Sequence, residues 1–231
     1  MKNNKTALIT GASRGLGYAL ALALAKNGWQ LLINGRNAET LLKAHNELSK
    51  HTKVVAISGD VRDEIHLLQL RNTLRDQQWQ LDLVVNNASA LGVSPLASLL
   101  EHPVDNLHKV LHTNLIAPVS LLQKVQAHFT DQPTIINISS DAAVAAYPTW
   151  GAYSSSKAGL DHLSAILAQE HPQWKVYAFD PGDMRTQMHQ AAFPGEDITD
   201  RPLPEEAALP ALLRLLRAEA PSGRYTIDAV A

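Results

Sequence analysis

Short apolar runs alternate with amphipathic stretches along nearly the whole chain. Residues 6–10, 29–34, 53–58, 81–87, 134–139, 175–180 and 224–228 read as strands. Residues 16–28, 38–50, 64–77, 104–129, 151–170 and 205–220 carry the helical period. Gly28 stops the first of these helices, Pro118 predicts a kink or break in the fourth, and Pro210 is tolerated in the last. The strands are apolar throughout instead of alternating. Strands of that kind are buried on both faces, as in a parallel sheet covered by helices on each side.

With right-handed crossovers, the pattern predicts an α/β fold: a single-domain, doubly wound parallel sheet of Rossmann type with helices on both faces, spanning 1–231. One stretch, 181–204, lacks either period and holds two glycines and four prolines. A loop that long in a compact domain is expected to be a functional lid.

Composition narrows the function. Hydrophobic residues make up 45% of the chain, enough for a large core. Twenty basic and 22 acidic side chains leave a net charge of -2, so no basic surface for nucleic acid or an anionic membrane is expected. No run is long enough to span a membrane, and the polar start has no apolar signal region. The absence of cysteine excludes disulfides, thiolate zinc sites and cysteine nucleophiles, and suits a reducing, cytoplasmic setting.

Several stretches carry candidate chemistry. "TGASRGLG" (10–17) follows the first strand and opens the first helix. Gly11, Gly15 and Gly17 permit a tight turn and close approach, and the helix N-terminus offers N–H groups to a pyrophosphate. The second strand ends in Asn34, Gly35 and Arg36, where an NAD enzyme more often carries an acid; Arg36 and Arg14 suit a 2'-phosphate instead. Asp60 after the third strand suits an adenine amino group, with Val61 against the ring, and equally a helix cap for 63–77. "NNAS" (86–89) reads as a polar turn or as side chains tying strand ends together. Tyr153 and Lys157 stand at i and i+4 at a helix start, beyond Ser139 and Ser140 at the end of strand five. Tyr147 is a competing phenol, but it precedes a proline and has no cation at i+4.

Together these motifs resemble the short-chain dehydrogenase/reductase family over essentially the whole chain: "TGASRGLG", "NNA" at 86–88, a helical Asn114, a serine near 140, Tyr-x-x-x-Lys at 153 and 157, and "DPG" with Thr186. The resemblance implies a catalytic trio of Ser140, Tyr153 and Lys157, with Asn114 as a fourth member placing a relay water. It implies cofactor contacts from Gly11, Ser13, Arg14, Gly15, Leu16 and Gly17, from Arg36, Asp60, Val61, Asn87 and Ala88, from Tyr153 and Lys157, and from Pro181, Gly182 and Thr186. Ser89 replaces a frequent glycine and Met184 a frequent valine.

The reaction expected is hydride transfer between NADP(H), preferred over NAD(H), and a small carbonyl or alcohol substrate. A lysine ammonium beside Tyr153 is expected to lower the phenol pKa by roughly one to three units. The alternative is a catalytically silent dinucleotide-binding sensor or scaffold of the same fold. Leu91, Val93, Val144, Trp150, Met184, Met188 and Phe193 are candidates for an apolar substrate wall. The apolar run Leu115, Ile116, Val119, Leu122 and Val125 suits pairing into a homodimer or homotetramer. No metal is expected. His108 and His112 lack a third ligand at recognisable spacing, and Ser13 and Ser140 lack the Gly-x-Ser-x-Gly elbow of hydrolases.

Overall fold

A computed structural model describes residues 4–218 and 220–230. Its strands are β1 (Thr6–Ile9), β2 (Gln30–Gly35), β3 (Val54–Ser58), β4 (Leu81–Asn86), β5 (Phe129–Ile138), β6 (Lys175–Asp180) and β7 (Gly223–Thr226). Its α-helices are α1 (Gly15–Lys26), α2 (Ala38–Leu48), α3 (Glu64–Gln77), α4 (Val104–Leu111), α5 (Ala117–Val125), α6 (Gly151–Glu170), α7 (Gln187–Ala192) and α8 (Ala208–Ala218). All seven strands are parallel, in the order β3-β2-β1-β4-β5-β6-β7. The chain winds outward from β1 to one edge and from β4 to the other. The switch point therefore lies between β1 and β4, and beyond their carboxyl ends such folds hold ligands.

The strand period of two sorts the core into two layers. Ile9, Leu31 and Ile33 pack with Leu20 and Leu24 of α1 and Leu212 of α8. Leu8, Leu32 and Val84 pack on the other face with Leu70 of α3 and Leu121 of α5. Asn37 caps α2 by accepting from Thr40 N at 2.9 Å, and Asp63 caps α3 by accepting from Ile65 N at 2.9 Å.

The stretch 104–129 is not one kinked helix. It runs through α4, a π-helical turn (His112–Ile116), α5 and one 3₁₀ turn, and Phe129 already belongs to β5, opposite Leu81. Pro118 has no N–H to return to the preceding turn, and the wider π turn lies directly before it. The apolar run on this stretch is partly consumed by the core: Val125 is buried and Leu122 packs against it, whereas Ile116 is 51% exposed. Within 181–204 a short helix, α7, is capped by Thr186, which accepts from His189 N at 3.2 Å. Residues 205–207 form a turn ahead of α8. β7 stops at Thr226, before a 3₁₀ turn at Asp228–Val230. Position 219 of the expected last helix, and 1–3 and 231 of the expected domain, lie outside the described residues.

Candidate active site

A cleft of about 1360 Å³ opens beyond the carboxyl ends of the central strands. Gly11, Ser13, Arg14, Gly15 and Leu16 line it. Gly11 (φ +64°) and Gly15 (φ +56°) hold the left-handed backbone that glycine adopts without strain. Arg14 stands at the N-cap of α1 without capping it, so the first-turn N–H groups receive no side-chain acceptor from that position. Such donors, with three arginines further along the cleft, fit a dinucleotide phosphate. Gly17 is different and does not line the cleft. A Cβ there would stand 2.4 Å from Asn87 Nδ2 and 2.6 Å from Gly11 O, so its role is close packing of α1.

Asn87 ties the glycine loop to β4. Its Nδ2 donates to Thr10 O at 2.9 Å and Gly11 O at 3.0 Å, while Thr10 Oγ1 accepts from the N–H groups of Asn87 and Ala88. Asn86 donates to Asn137 Oδ1 at 2.7 Å, joining β4 to β5. The "NNAS" stretch is thus a stitch between strand ends, and Asn87 and Ala88 both face the cleft.

Arg36, Asp60 and Val61 line the far end of the cleft. Arg36 is exposed and makes no hydrogen bond or ion pair among the described residues. Asp60 is not the cap of α3, since Asp63 takes that place. Arg62 grips its carboxylate instead, with Nε to Oδ1 at 3.0 Å and Nη2 to Oδ2 at 2.7 Å, and holds its pKa below the ordinary range. Sequence reasoning misses Arg62, although its place two residues beyond Asp60 is a usable signal. Arg14 reaches across the cleft mouth to Gln187 Oε1.

Ser140, Tyr153 and Lys157 meet at the other end. β5 ends at Ile138 and α6 begins at Gly151, which sets the serine and the first two turns of the helix side by side. Lys157 is 2% exposed; its Nζ donates to Ile138 O at 2.6 Å and lies 5.5 Å from the Tyr153 ring centroid. Burial pulls the Lys157 pKa down to about 8, against the pull of Asp161 one turn further on. Ser140 Oγ donates to Asp141 Oδ1 at 2.9 Å. Tyr147, the competing phenol, donates to the other oxygen of Asp141.

Tyr153 departs from expectation. Its pKa is pushed up to about 12, because burial outweighs the lowering effect of its hydrogen-bond contacts with Ser140 and Ser89, and the Asp180 and Asp141 carboxylates add to the rise. Ser89, the replacement for a frequent glycine, thereby joins the site. Asn114 also departs. It is 1% exposed, and its amide is fully used: Oδ1 accepts from Ser89 Oγ and Ala90 N, and Nδ2 donates to Ala90 O and Ser156 Oγ. Its side chain braces the exit of β4 and has no donor or acceptor left over, so a relay water would have to be held by its main-chain carbonyl, to which Pro118, four residues on, offers no N–H.

Pro181, Gly182 and Thr186 line the cleft after β6, as do Leu91, Trp150, Met184, Met188 and Phe193; Val93 and Val144 do not. Trp150 meets Tyr153 edge-on at 5.7 Å and Phe193 at 6.0 Å, which makes an apolar wall beside the phenol. Among the described residues no group of three or more His, Asp or Glu side chains could hold a metal, and no helix is long and apolar enough to cross a membrane.

The parallel sheet and its helices agree with the comparisons. The family described as short chain dehydrogenase matches residues 5–197. The chain belongs to the short-chain dehydrogenase family. It is 32% identical over 199 residues to the sepiapterin reductase of Mus musculus, covering 80% of this chain and 76% of that protein. It is 29% identical over 196 residues to the NADPH-dependent pterin aldehyde reductase of Arabidopsis thaliana, covering 82% and 78%. A short chain dehydrogenase from Shigella flexneri 2a, solved in complex with NADP, superimposes with a TM-score of 0.88 at 25% identity over 98% of each chain.

Proposed function

We propose that the chain is an NADPH-dependent reductase that delivers hydride to a small carbonyl compound, with Tyr153 as proton donor. The observation that carries this reading is the meeting of Ser140, Tyr153 and Lys157 in the cleft that begins at the glycine loop. The reduced nicotinamide supplies the hydride when bound. The loop and the start of α1 hold the pyrophosphate, and Arg36, with Arg14 nearby, meets the 2'-phosphate. The Ser140 hydroxyl orients the substrate oxygen. Tyr153, which keeps its proton at neutral pH, hands it from Oη to that oxygen as negative charge develops there. Lys157, still mostly charged at neutral pH, stands beside the phenol to favour that transfer. At neutral pH the phenol therefore stands in the protonated form that carbonyl reduction draws on.

The test is NADPH oxidation by the purified chain across aldehydes and ketones, with a pterin carbonyl among the first because two relatives carry pterin or sepiapterin reduction in their names. Turnover to the alcohol is expected. Tight NADPH binding with no turnover on any carbonyl would support the silent dinucleotide-binding alternative instead. The chain is also proposed to pair into a homodimer or homotetramer through the faces of α4 and α6, where Val104 and Ile166 stand exposed; a monomer by light scattering at micromolar concentration would refute this.

A further inference from the structure

Arg224 stands on the edge strand β7, yet its guanidinium reaches three elements of the site. Nε donates to Asp161 Oδ2 at 2.9 Å, and Nη2 donates to Asp180 Oδ2 at 2.8 Å and to Ser140 O at 3.0 Å. All three acceptors matter to the centre. Ser140 carries the hydroxyl beside Tyr153. Asp161 follows Lys157 by one turn on α6 and acts on its charge, raising the proton affinity of the ammonium. Asp180 ends β6, and its other oxygen accepts from Gly182 N at 3.0 Å, holding the loop that lines the cleft.

The segment that presents Ser140 is therefore held by two cations. Lys157 grips the carbonyl of Ile138 on one side, and Arg224 grips that of Ser140 on the other. The guanidinium spreads these donors over two nitrogens in one fixed plane, whereas an ammonium carries its three donors on a single nitrogen. Two carboxylates here face two cations, Arg224 and Lys157. Asp161 and Asp180 are largely buried, with side chains 14% and 7% exposed, and Arg224 is their shared counter-charge.

We propose that Arg224 is a positioning residue of the active site: it fixes the backbone that presents Ser140 and neutralises Asp161 and Asp180 beside Lys157 and Tyr153. The proposal rests on the reading of Ser140, Tyr153 and Lys157 as the reacting groups. The charged groups that bear on them are Asp161 toward Lys157, and Asp180 and Asp141 toward Tyr153. Without the guanidinium, Asp161 would act on the ammonium uncompensated and hold its proton more tightly.

The experiment pairs an NMR titration of the Lys157 side chain, assigned by its loss in Lys157→Met, with steady-state kinetics. From a parent midpoint of about 8, Arg224→Met should raise proton affinity by about tenfold or more, and Asp161→Asn should lower it. Arg224→Met should also cut kcat by roughly ten- to a hundredfold, with little change in the KM for NADPH. Arg224→Lys should return the titration toward the parent while kcat stays low, because the charge is restored and the fork is not. An unmoved Lys157 midpoint in both Arg224→Met and Asp161→Asn, or parent-like kcat in Arg224→Met, overturns the proposal. If Arg224→Met does not fold, Asp161→Asn carries the titration alone, with the opposite sign. A parent chain that reduces no carbonyl would overturn the functional reading, and the titration, which needs no turnover, would still decide the charge role of Arg224.

Discussion

The Nζ of Lys157 donates to the carbonyl of Ile138 at 2.6 Å, so the helix that carries Tyr153 is pinned to the end of β5 by a buried cation. With the Arg224 bond to Ser140 O, it holds the serine and tyrosine sides of the site together. It also places a charge where water does not reach it, which has a consequence for stability.

Burial moves the Lys157 pKa from its ordinary 10.5 to about 8. Below pH 8 folded and unfolded chains both carry the proton, and the folded chain bears the whole cost of the buried charge. Between pH 8 and 10.5 the unfolded chain keeps the proton and the folded chain has lost it, so stability rises with pH. The shift corresponds to about 3 kcal/mol as an order of magnitude. Urea denaturation should show the unfolding free energy of the parent gaining on that of Lys157→Met by about this much across the window. A difference that stays flat with pH would contradict the burial of a lysine that titrates here.

Gly17 separates packing from ligand contact. An added methyl would stand 2.4 Å from Asn87 Nδ2 and 2.6 Å from Gly11 O, and the backbone side of that contact cannot swing away. Gly17→Ala should destabilise the protein by about 1–3 kcal/mol without any cofactor present. Thermal unfolding reads this directly. An unchanged Tm with weakened NADPH affinity would return Gly17 to the ligand-contacting set.

Cofactor preference should follow Arg36. A hydrogen bond to a charged group contributes roughly 1.5–3 kcal/mol, and solvent exposure at this position lowers the figure, so a preference for NADPH of about ten- to a hundredfold is expected. Arg36→Asp should invert it, since a carboxylate repels the phosphate and accepts from the ribose hydroxyls of NADH. Equal kcat/KM for the two cofactors in the parent would sink this prediction.

The sheet is legible because each strand is marked locally: residues such as Leu31, Leu32 and Ile33 are apolar on both faces, as a strand buried between two helix layers requires. The start of β5 is hidden because "FTDQP" carries no apolar run, and its strand character comes from pairing with Leu81, which is far away in sequence. The π turn at His112–Ile116 has the composition of any helix, so only the hydrogen-bond pattern distinguishes it. Within the site, Tyr153, Lys157 and the glycine loop announce themselves by spacing. Arg224 does not: its partners lie 44, 63 and 84 residues away, and on its own strand it reads as one more surface cation. The tyrosine pKa escapes the sequence for a related reason. The lysine at i+4 is visible there, but the burial that raises the phenol pKa is a property of the packed site.

The most direct measurement of the central claim is the turnover of Tyr153→Phe on whichever carbonyl the parent reduces, taken together with its NADPH affinity by fluorescence titration. The change removes the hydroxyl and leaves the ring against Trp150. With Tyr153 as proton donor, kcat should fall by about 10²- to 10⁴-fold while NADPH binds nearly as it does to the parent. A Phe variant that reduces the substrate at the parent rate would contradict the assignment of Tyr153 and, with it, the mechanism.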